Sequence, residues 1–342
     1  MAQLPAGLEQ TLANMGLLAT GQRVSGEPLT GGVSSDIWRV EIDGVSVCVK
    51  RALEQFKVEQ EWRVPLDRNA YEVAWFEVVA DVAPQAIPKI YGHDPVAGVF
   101  VMEYFPSAHY PVWKAQLRDG VVEQKTIASV AEILAQIHNS TAGNPEIARR
   151  FDTDELFYGL RLEPYFHATA QCHPDLATQL LDLAEMVGKN KRALVHGDIS
   201  PKNILVGERG PIILDAECAW YGDPAFDLAF CLNHLLLKGI WNPPARPALA
   251  AGAKAMVECY LDQVTWEQPG QLEERVAAVL PGLMLARIDG KSPVEYIVDE
   301  ADKAHVREFA RRFLLRPSTS LPEVIAAWVE AAGPGAEGAS TP

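Results

Sequence analysis

Apolar positions along this chain recur at two different periods, and the change from one to the other divides it. In the N-terminal third they alternate or fall in short blocks at 23–29, 37–42, 45–50 and 99–105, bounded by glycine, aspartate and proline turns. Blocks of that length predict strands. Between them, Tyr71, Trp75, Val78, Val79 and Val82 recur at helical spacing, which predicts one helix over 66–82. Residues 1–18 read as a leading helix. Beyond residue 104 the helical period takes over: Ile127, Val130, Leu134 and Ile137 share one face of 126–138. Residues 151–187 are mostly helical in pattern, with breaks expected at Pro164 and Pro174. Further helices follow Phe230, with a break at 241–247 and a helix over 248–261. The pattern predicts an α+β chain: a small strand-rich lobe with one main helix, then a larger, mostly helical lobe. The division expected is 1–103, 104–332 and a Gly/Ala/Pro/Ser tail at 333–342 read as disordered.

One stretch breaks the helical pattern. Two apolar runs, 204–206 and 212–214, flank Glu208-Arg209-Gly210 and predict a hairpin. The reversal brings Asn203 and Asp215 to the same end. A carboxamide and a carboxylate there supply the hard oxygen ligands that Mg²⁺ takes together with water and phosphate. Asp198, five positions before Asn203 on a proline-containing loop, is placed to face a substrate hydroxyl as base or orienting group.

The spacing Asp-x-x-x-x-Asn followed by a strand-borne Asp is that of a kinase catalytic loop. His196-Gly197-Asp198 with Asn203, then Asp215-x-Glu217, Gly222-Asp223-Pro224 and Asp227, resembles the aminoglycoside phosphotransferase and choline kinase superfamily. The Asp-x-Glu form looks most like its methylthioribose kinase branch. The resemblance implies a protein-kinase-like two-lobed fold, ATP and Mg²⁺ as cofactors, Asp198 as the catalytic group, and Asn203, Asp215 and Glu217 at the metal. His196 is expected to brace the loop, and Asp227 to start a helix and accept backbone N–H bonds. Asp223 stands either as a turn-former or as a functional group.

The N-terminal lobe supports the same reading. Thr30-Gly31-Gly32-Val33-Ser34-Ser35-Asp36 is a small-residue turn between two strands, open enough for backbone amides to approach phosphates. Gly31, Gly32, Ser34 and Ser35 are its nucleotide candidates. The following strand ends at Lys50, which by resemblance contacts the α- and β-phosphates, with Glu72 as its acidic partner and Glu77 as the alternative. Met102, Glu103 and Tyr104 resemble the linker between lobes, where adenine binds backbone groups.

Arg161, in an Arg-Leu-Glu-Pro-Tyr run, either lines a substrate cleft or pairs on the surface. Lys202 is a phosphate contact or a solvated charge, and Arg287 a substrate contact or part of a salt-bridged loop. Only eight positions separate Asp215 from Asp223, too few for the long activation segment that seats peptides, so the acceptor is expected to be a small molecule. The net charge of −15 argues against nucleic acid, whose phosphates need a positive footprint. It suits, weakly, a cationic acceptor such as choline or an aminoglycoside. Five cysteines with no CxxC pair read as free thiols of a cytosolic chain. No apolar run approaches the roughly 18 residues that span a bilayer. Two other readings predict different behaviour: a metal-dependent hydrolase needs neither ATP nor Lys50, and a silent nucleotide-binding regulator binds ATP without turnover.

Overall fold

The computed structural model describes residues 2–29, 35–53 and 68–331. The glycine turn, with Gly31, Gly32 and Ser34, lies outside them, as do the first two positions of the predicted 66–82 helix and the tail at 333–342. The small lobe is a six-stranded antiparallel sheet of β1 (Ala2–Gln3), β2 (Ser25–Pro28), β3 (Ser35–Ile42), β4 (Val45–Ala52), β5 (Ile90–Asp94) and β6 (Val99–Glu103), in the order β1-β2-β3-β4-β6-β5. Helix α1 (Leu8–Asn14) and helix α2 (Arg68–Ala80) belong to the same lobe. The leading helix is thus shorter than expected: Pro5 cannot donate an intrahelical hydrogen bond, so the first residues pair as a strand edge instead.

Strand alternation decides what the sheet offers to each side. Val47 and Val49 of β4, with Val99 and Val101 of β6, pack with Leu8 and Leu12 of α1. Cys48, Phe100 and Met102 point the other way, into the cluster containing Trp75, Phe76 and Val79 of α2. Lys50 shares the parity of Cys48, so the pleat turns it toward α2 and the interior.

The rest is mainly helical: α3 (Trp113–Arg118), α4 (Gln124–Thr141), α5 (Pro145–Arg150), α6 (Asp154–Phe157), α7 (Ala168–Cys172), α8 (Ala177–Lys189), α9 (Pro224–Trp241), α10 (Arg246–Leu261), α11 (Pro269–Asp289), α12 (Glu300–Leu315) and α13 (Leu321–Ala331). Two short antiparallel pairs interrupt it: β7 (Ala193–Val195) with β10 (Trp220–Gly222), and the predicted hairpin of β8 (Ile204–Gly207) with β9 (Gly210–Ile213). Helix α9 is apolar on nearly every side and correspondingly buried, the centre against which α10 and α11 pack. Among the described residues, no helix is long and apolar enough to cross a membrane.

Two expectations fail here for physical reasons. Pro164 does not break the chain: residues Tyr158–His167 wind as a π-helix straight through it and join α6 to α7. The wider turn relieves the clash between a proline ring and the preceding carbonyl that breaks a tighter helix. Asp227 does not start α9. Asp223 caps it, accepting the Ala225 N–H at 3.0 Å with Pro224 in the first turn, and Asp227 lies one turn inside.

Candidate active site

The acidic centre is built by β4, α2 and the segment after β9. Lys50 Nζ lies 2.7 Å from Glu72 Oε2, 2.6 Å from Asp215 Oδ1 and 2.9 Å from Glu217 Oε1. Glu72 is therefore the partner of Lys50, whereas Glu77 pairs with Arg150 on the surface. Glu217 is held on both oxygens, by Ser35 Oγ at 2.9 Å and by the fully buried Arg68 at 3.0 Å. Three carboxylates thus face two cations. Burial disfavours the charge on Lys50, but Asp215, Glu217 and Glu72 outweigh it and hold the ammonium charged. Burial and the neighbouring Asp215 and Glu217 charges push the Glu72 carboxyl up, against Lys50, to about 8. Asp215 moves the opposite way, its burial overcome by Lys50 and Lys202. Its backbone φ of 68° lies in the left-handed region that a side chain seldom adopts, a strain typical of functional positions.

Carboxylate oxygens of Glu72, Asp215 and Glu217 lie within 4.8 Å of one another. That hard-oxygen, negatively biased set suits a divalent cation such as Mg²⁺. Asn203 does not join the three: its Nδ2 donates to the Asp198 carbonyl at 3.0 Å and to Asp198 Oδ2 at 2.9 Å.

Asp198 forms a second centre. Its Oδ2 also receives Arg161 Nη2 and Lys202 Nζ, each at 3.1 Å. Burial works to raise its pKa, but Lys202 and Arg161 together hold the carboxyl below the ordinary range. The loop carrying it is fixed from beneath. The backbone N–H groups of His196 and Gly197 donate to the two oxygens of Asp227 at 2.7 and 2.8 Å. His196 Nδ1 accepts the Asp198 N–H at 3.0 Å while Nε2 donates to the Leu214 carbonyl at 3.1 Å, and burial keeps the ring neutral. Gly197 has a φ of 77°, and a Cβ there would meet the Cys218 carbonyl at 2.7 Å, so the loop needs glycine. Cys218, buried with its thiol pushed up to about 12, is no nucleophile.

Of the other predicted residues, Met102 is buried, Glu103 bridges to Arg209 of the β8–β9 turn at 2.8 Å, and Tyr104 lies under the Arg39 guanidinium. Arg161 turns inward, while its neighbour Glu163 pairs with Lys291 on the surface. Arg287 is also buried, donating to the Tyr165 hydroxyl at 3.1 Å. Asp223 holds Arg275 as well as capping α9. The sequence reading missed Arg68; its signal is the spacing of four that puts it on the buried face of α2 with Glu72.

Residues 25–261, a span carrying every one of these groups except Arg275, Arg287 and Lys291, match the model of the phosphotransferase enzyme family. The chain belongs to that family. Among curated relatives of this phosphotransferase-family chain, the methylthioribose kinase of Erwinia tasmaniensis is 29% identical over 246 residues, covering 62% of the chain and 60% of the relative. The methylthioribose kinase of Pectobacterium atrosepticum is 28% identical over 270 residues, covering 69% and 66%. The chain therefore spans less than two thirds of either protein. These matches bear out the predicted likeness to the methylthioribose kinase branch. Solved structures share the fold: the ethanolamine kinase of Plasmodium vivax, with a TM-score of 0.54, 12% identity and coverage of 96% and 88%, and amicoumacin kinase in complex with AMP-PNP and Ca²⁺, with a TM-score of 0.53, 13% identity and coverage of 94% and 97%. The predicted protein-kinase-like α+β architecture is thereby borne out.

Proposed function

We propose that this protein is a kinase that transfers the γ-phosphoryl group of ATP to a hydroxyl of a small acceptor. The observation that carries the reading is the pairing of two opposed centres: carboxylates gathered on Lys50, and beside them an anionic Asp198 whose contacts with Arg161, Lys202 and Asn203 all fall on Oδ2. That leaves Oδ1 for the acceptor hydroxyl. With a depressed pKa, Asp198 is a weak base. A loose phosphoryl-transfer transition state asks chiefly for positioning, so Asp198 orients the hydroxyl and takes its proton late.

Lys50, released from Asp215 when nucleotide enters, binds the α- and β-phosphates while Glu72 keeps it placed. Asp215 and Glu217 hold Mg²⁺, and Asn203 has Oδ1 left to add to them. The ion supplies neutralisation of the phosphate charge. Gly31, Gly32, Ser34 and the backbone of Met102 to Tyr104 are the proposed nucleotide contacts. Ser35 instead donates to Glu217, which ties the base of the glycine turn to the acidic centre. Methylthioribose kinase relatives favour a small polyhydroxylated acceptor, and the short Asp215 to Asp223 interval favours a small molecule over a peptide. The central position of Lys50 among the carboxylates counts against a metal-dependent hydrolase, which has no use for a cation there.

The test is ADP release from Mg-ATP across a panel of hydroxyl compounds, beside Asp198→Asn and Asp215→Ala. Acceptor-dependent ADP release lost in both variants is the expected result. Full activity in Asp198→Asn would overturn its role, and failure of the intact chain to bind ATP would overturn the kinase reading.

A further inference from the structure

The large-lobe side of Asp198 is basic, although the chain as a whole is acidic. Phe230, His234 and Lys238 stand at successive spacings of four on one face of α9, and Arg287 of α11 faces them beside Tyr165. The row begins at the reacting centre: the Arg161 guanidinium, in contact with Asp198, lies 5.9 Å from the Tyr165 ring centre and 5.7 Å from that of Phe230. It ends at Lys238, whose ammonium lies 4.7 Å from the Tyr296 ring centre and 5.9 Å from that of Trp241.

Charges in this row are not balanced. Among the described residues, every hydrogen bond of the Arg287 guanidinium goes to a neutral oxygen, the Tyr165 hydroxyl or the carbonyl and hydroxyl of Ser292, and its buried Nε has no partner. Lys238 is 1% exposed and makes no ion pair among the described residues; the nearby Glu295 is taken by Lys114. His234, 5% exposed, has an unpartnered Nε2 and is kept neutral by burial and by the surrounding Arg287, Lys238, Lys202 and Lys114. Burying cations without counter-charge is unfavourable unless the site is completed by an anion.

We propose that the phosphoryl acceptor carries an anionic group, a carboxylate or a phosphate ester, seated between Arg287 and Lys238 while its hydroxyl lies at Asp198. This rests on the kinase reading and names its acceptor class. His234 and Lys238 lie about 6 and 12 Å along α9 from Phe230, so the acceptor spans a distance of that order between hydroxyl and anion. A cationic acceptor would meet like charge at Arg287 and Lys238.

Burial, reinforced by Lys114 and Arg287 and opposed by Glu295 and Cys231, draws the Lys238 ammonium down to about 7. An arriving anion restores its proton. Binding above pH 7 therefore takes up a proton, a signature that a merely structural lysine would not give.

The experiment is calorimetric titration of the full chain, with Mg²⁺ and AMP-PNP, using ω-hydroxycarboxylates of about four to eight carbons, a length range set by the helix spacing. The diol and amino alcohol of each length are run beside them, together with a pentose phosphate beside the free pentose. ADP release from Mg-ATP is measured on the same compounds. The expected result is that an anionic member binds at least about tenfold tighter than its partners, with buffer-dependent heat reporting proton uptake. Lys238→Gln and Arg287→Gln should each weaken it by about 10- to 100-fold, and Lys238→Gln should abolish the proton uptake. Circular dichroism checks that the variants fold. No anion preference, or one that survives both substitutions, overturns the inference. Turnover of neutral acceptors without anion preference overturns it while leaving the kinase standing. Anion binding that both substitutions weaken, with no ADP release from any compound, upholds the subsite and counts against the kinase.

Discussion

Two buried charge clusters lie on either side of Asp198, and they are unbalanced in opposite senses. At the lobe junction three carboxylates crowd Lys50 and Arg68. In the large lobe Arg287 and Lys238 make no ion pair with a carboxylate among the described residues. Each imbalance is a structural cost that a ligand of the opposite sign would relieve, a divalent cation at the first and an anion at the second. A net charge of −15 predicts neither, because it sums over the whole chain without regard to where each charge lies. The expectation of a cationic acceptor, drawn from that sum, runs against the lining actually present beside Asp198.

The largest effect separates the reacting group from both clusters. Asp198→Asn keeps the shape of the side chain and removes its charge, and should lower kcat by about 100- to 10,000-fold with ATP affinity retained. Single-turnover kinetics beside equilibrium ATP binding would measure this, and a parallel loss of ATP affinity would contradict it. Next comes the sign of each cation's contribution to stability. Lys50→Met leaves Glu72, Asp215 and Glu217 without their shared cation and should cost about 3–5 kcal/mol in urea unfolding above pH 8, where Glu72 is ionised, with partial recovery in the double variant with Glu72→Gln. An unchanged midpoint would refute the assignment of Lys50 as the charge that holds the acidic centre together.

How far each cluster was legible follows from how local its determinants are. Lys50 could be read because its strand resembles that of a kinase small lobe and parity sets its direction, and Asn203 and Asp215 because a short hairpin brings its two ends together, with Asp198 on the loop just before it. The large-lobe cluster is legible only in part: Arg287 stands out as a candidate substrate contact, but His234 and Lys238 do not. Lys238 reads as an ordinary helix-end lysine, and only the packing of α9 against α11 turns it inward. The direction of Arg161, cleft or surface, is set by a π-helical winding that no periodicity announces. Arg68 meets Glu217 across 149 residues of sequence; its spacing of four from Glu72 signals the buried face but not that partner.

The opposite sign is expected at Lys238. Below about pH 7 the folded protein must keep a buried ammonium charged, whereas the unfolded chain keeps its own up to the ordinary 10.5. Between those values the unfolded state holds the extra proton, so stability from this group rises with pH, and the penalty is fully present below 7. Lys238→Met should therefore stabilise the unliganded protein by a few kcal/mol at pH 6, on the order expected from a shift of that size, and the gain should fade toward pH 10. Thermal unfolding across pH checks it. A loss of stability at pH 6 would mean that the two aromatic rings already satisfy the ammonium.

The smallest effect guards the comparison against a trivial reading, in which any lysine near the cleft would behave alike. Lys291 is paired with Glu163 beside Pro164, on the outer side of the segment that turns Arg161 inward, and its side chain is 42% exposed. Its charge is already balanced and hydrated, so Lys291→Gln should change stability by no more than about 1 kcal/mol at any pH. Acceptor affinity should be unchanged, and the salt dependence of unfolding should weaken slightly. An effect on acceptor binding comparable to that of Lys238→Gln would mean that the cleft responds to general positive potential, and the distinction between balanced and unbalanced cations would fall.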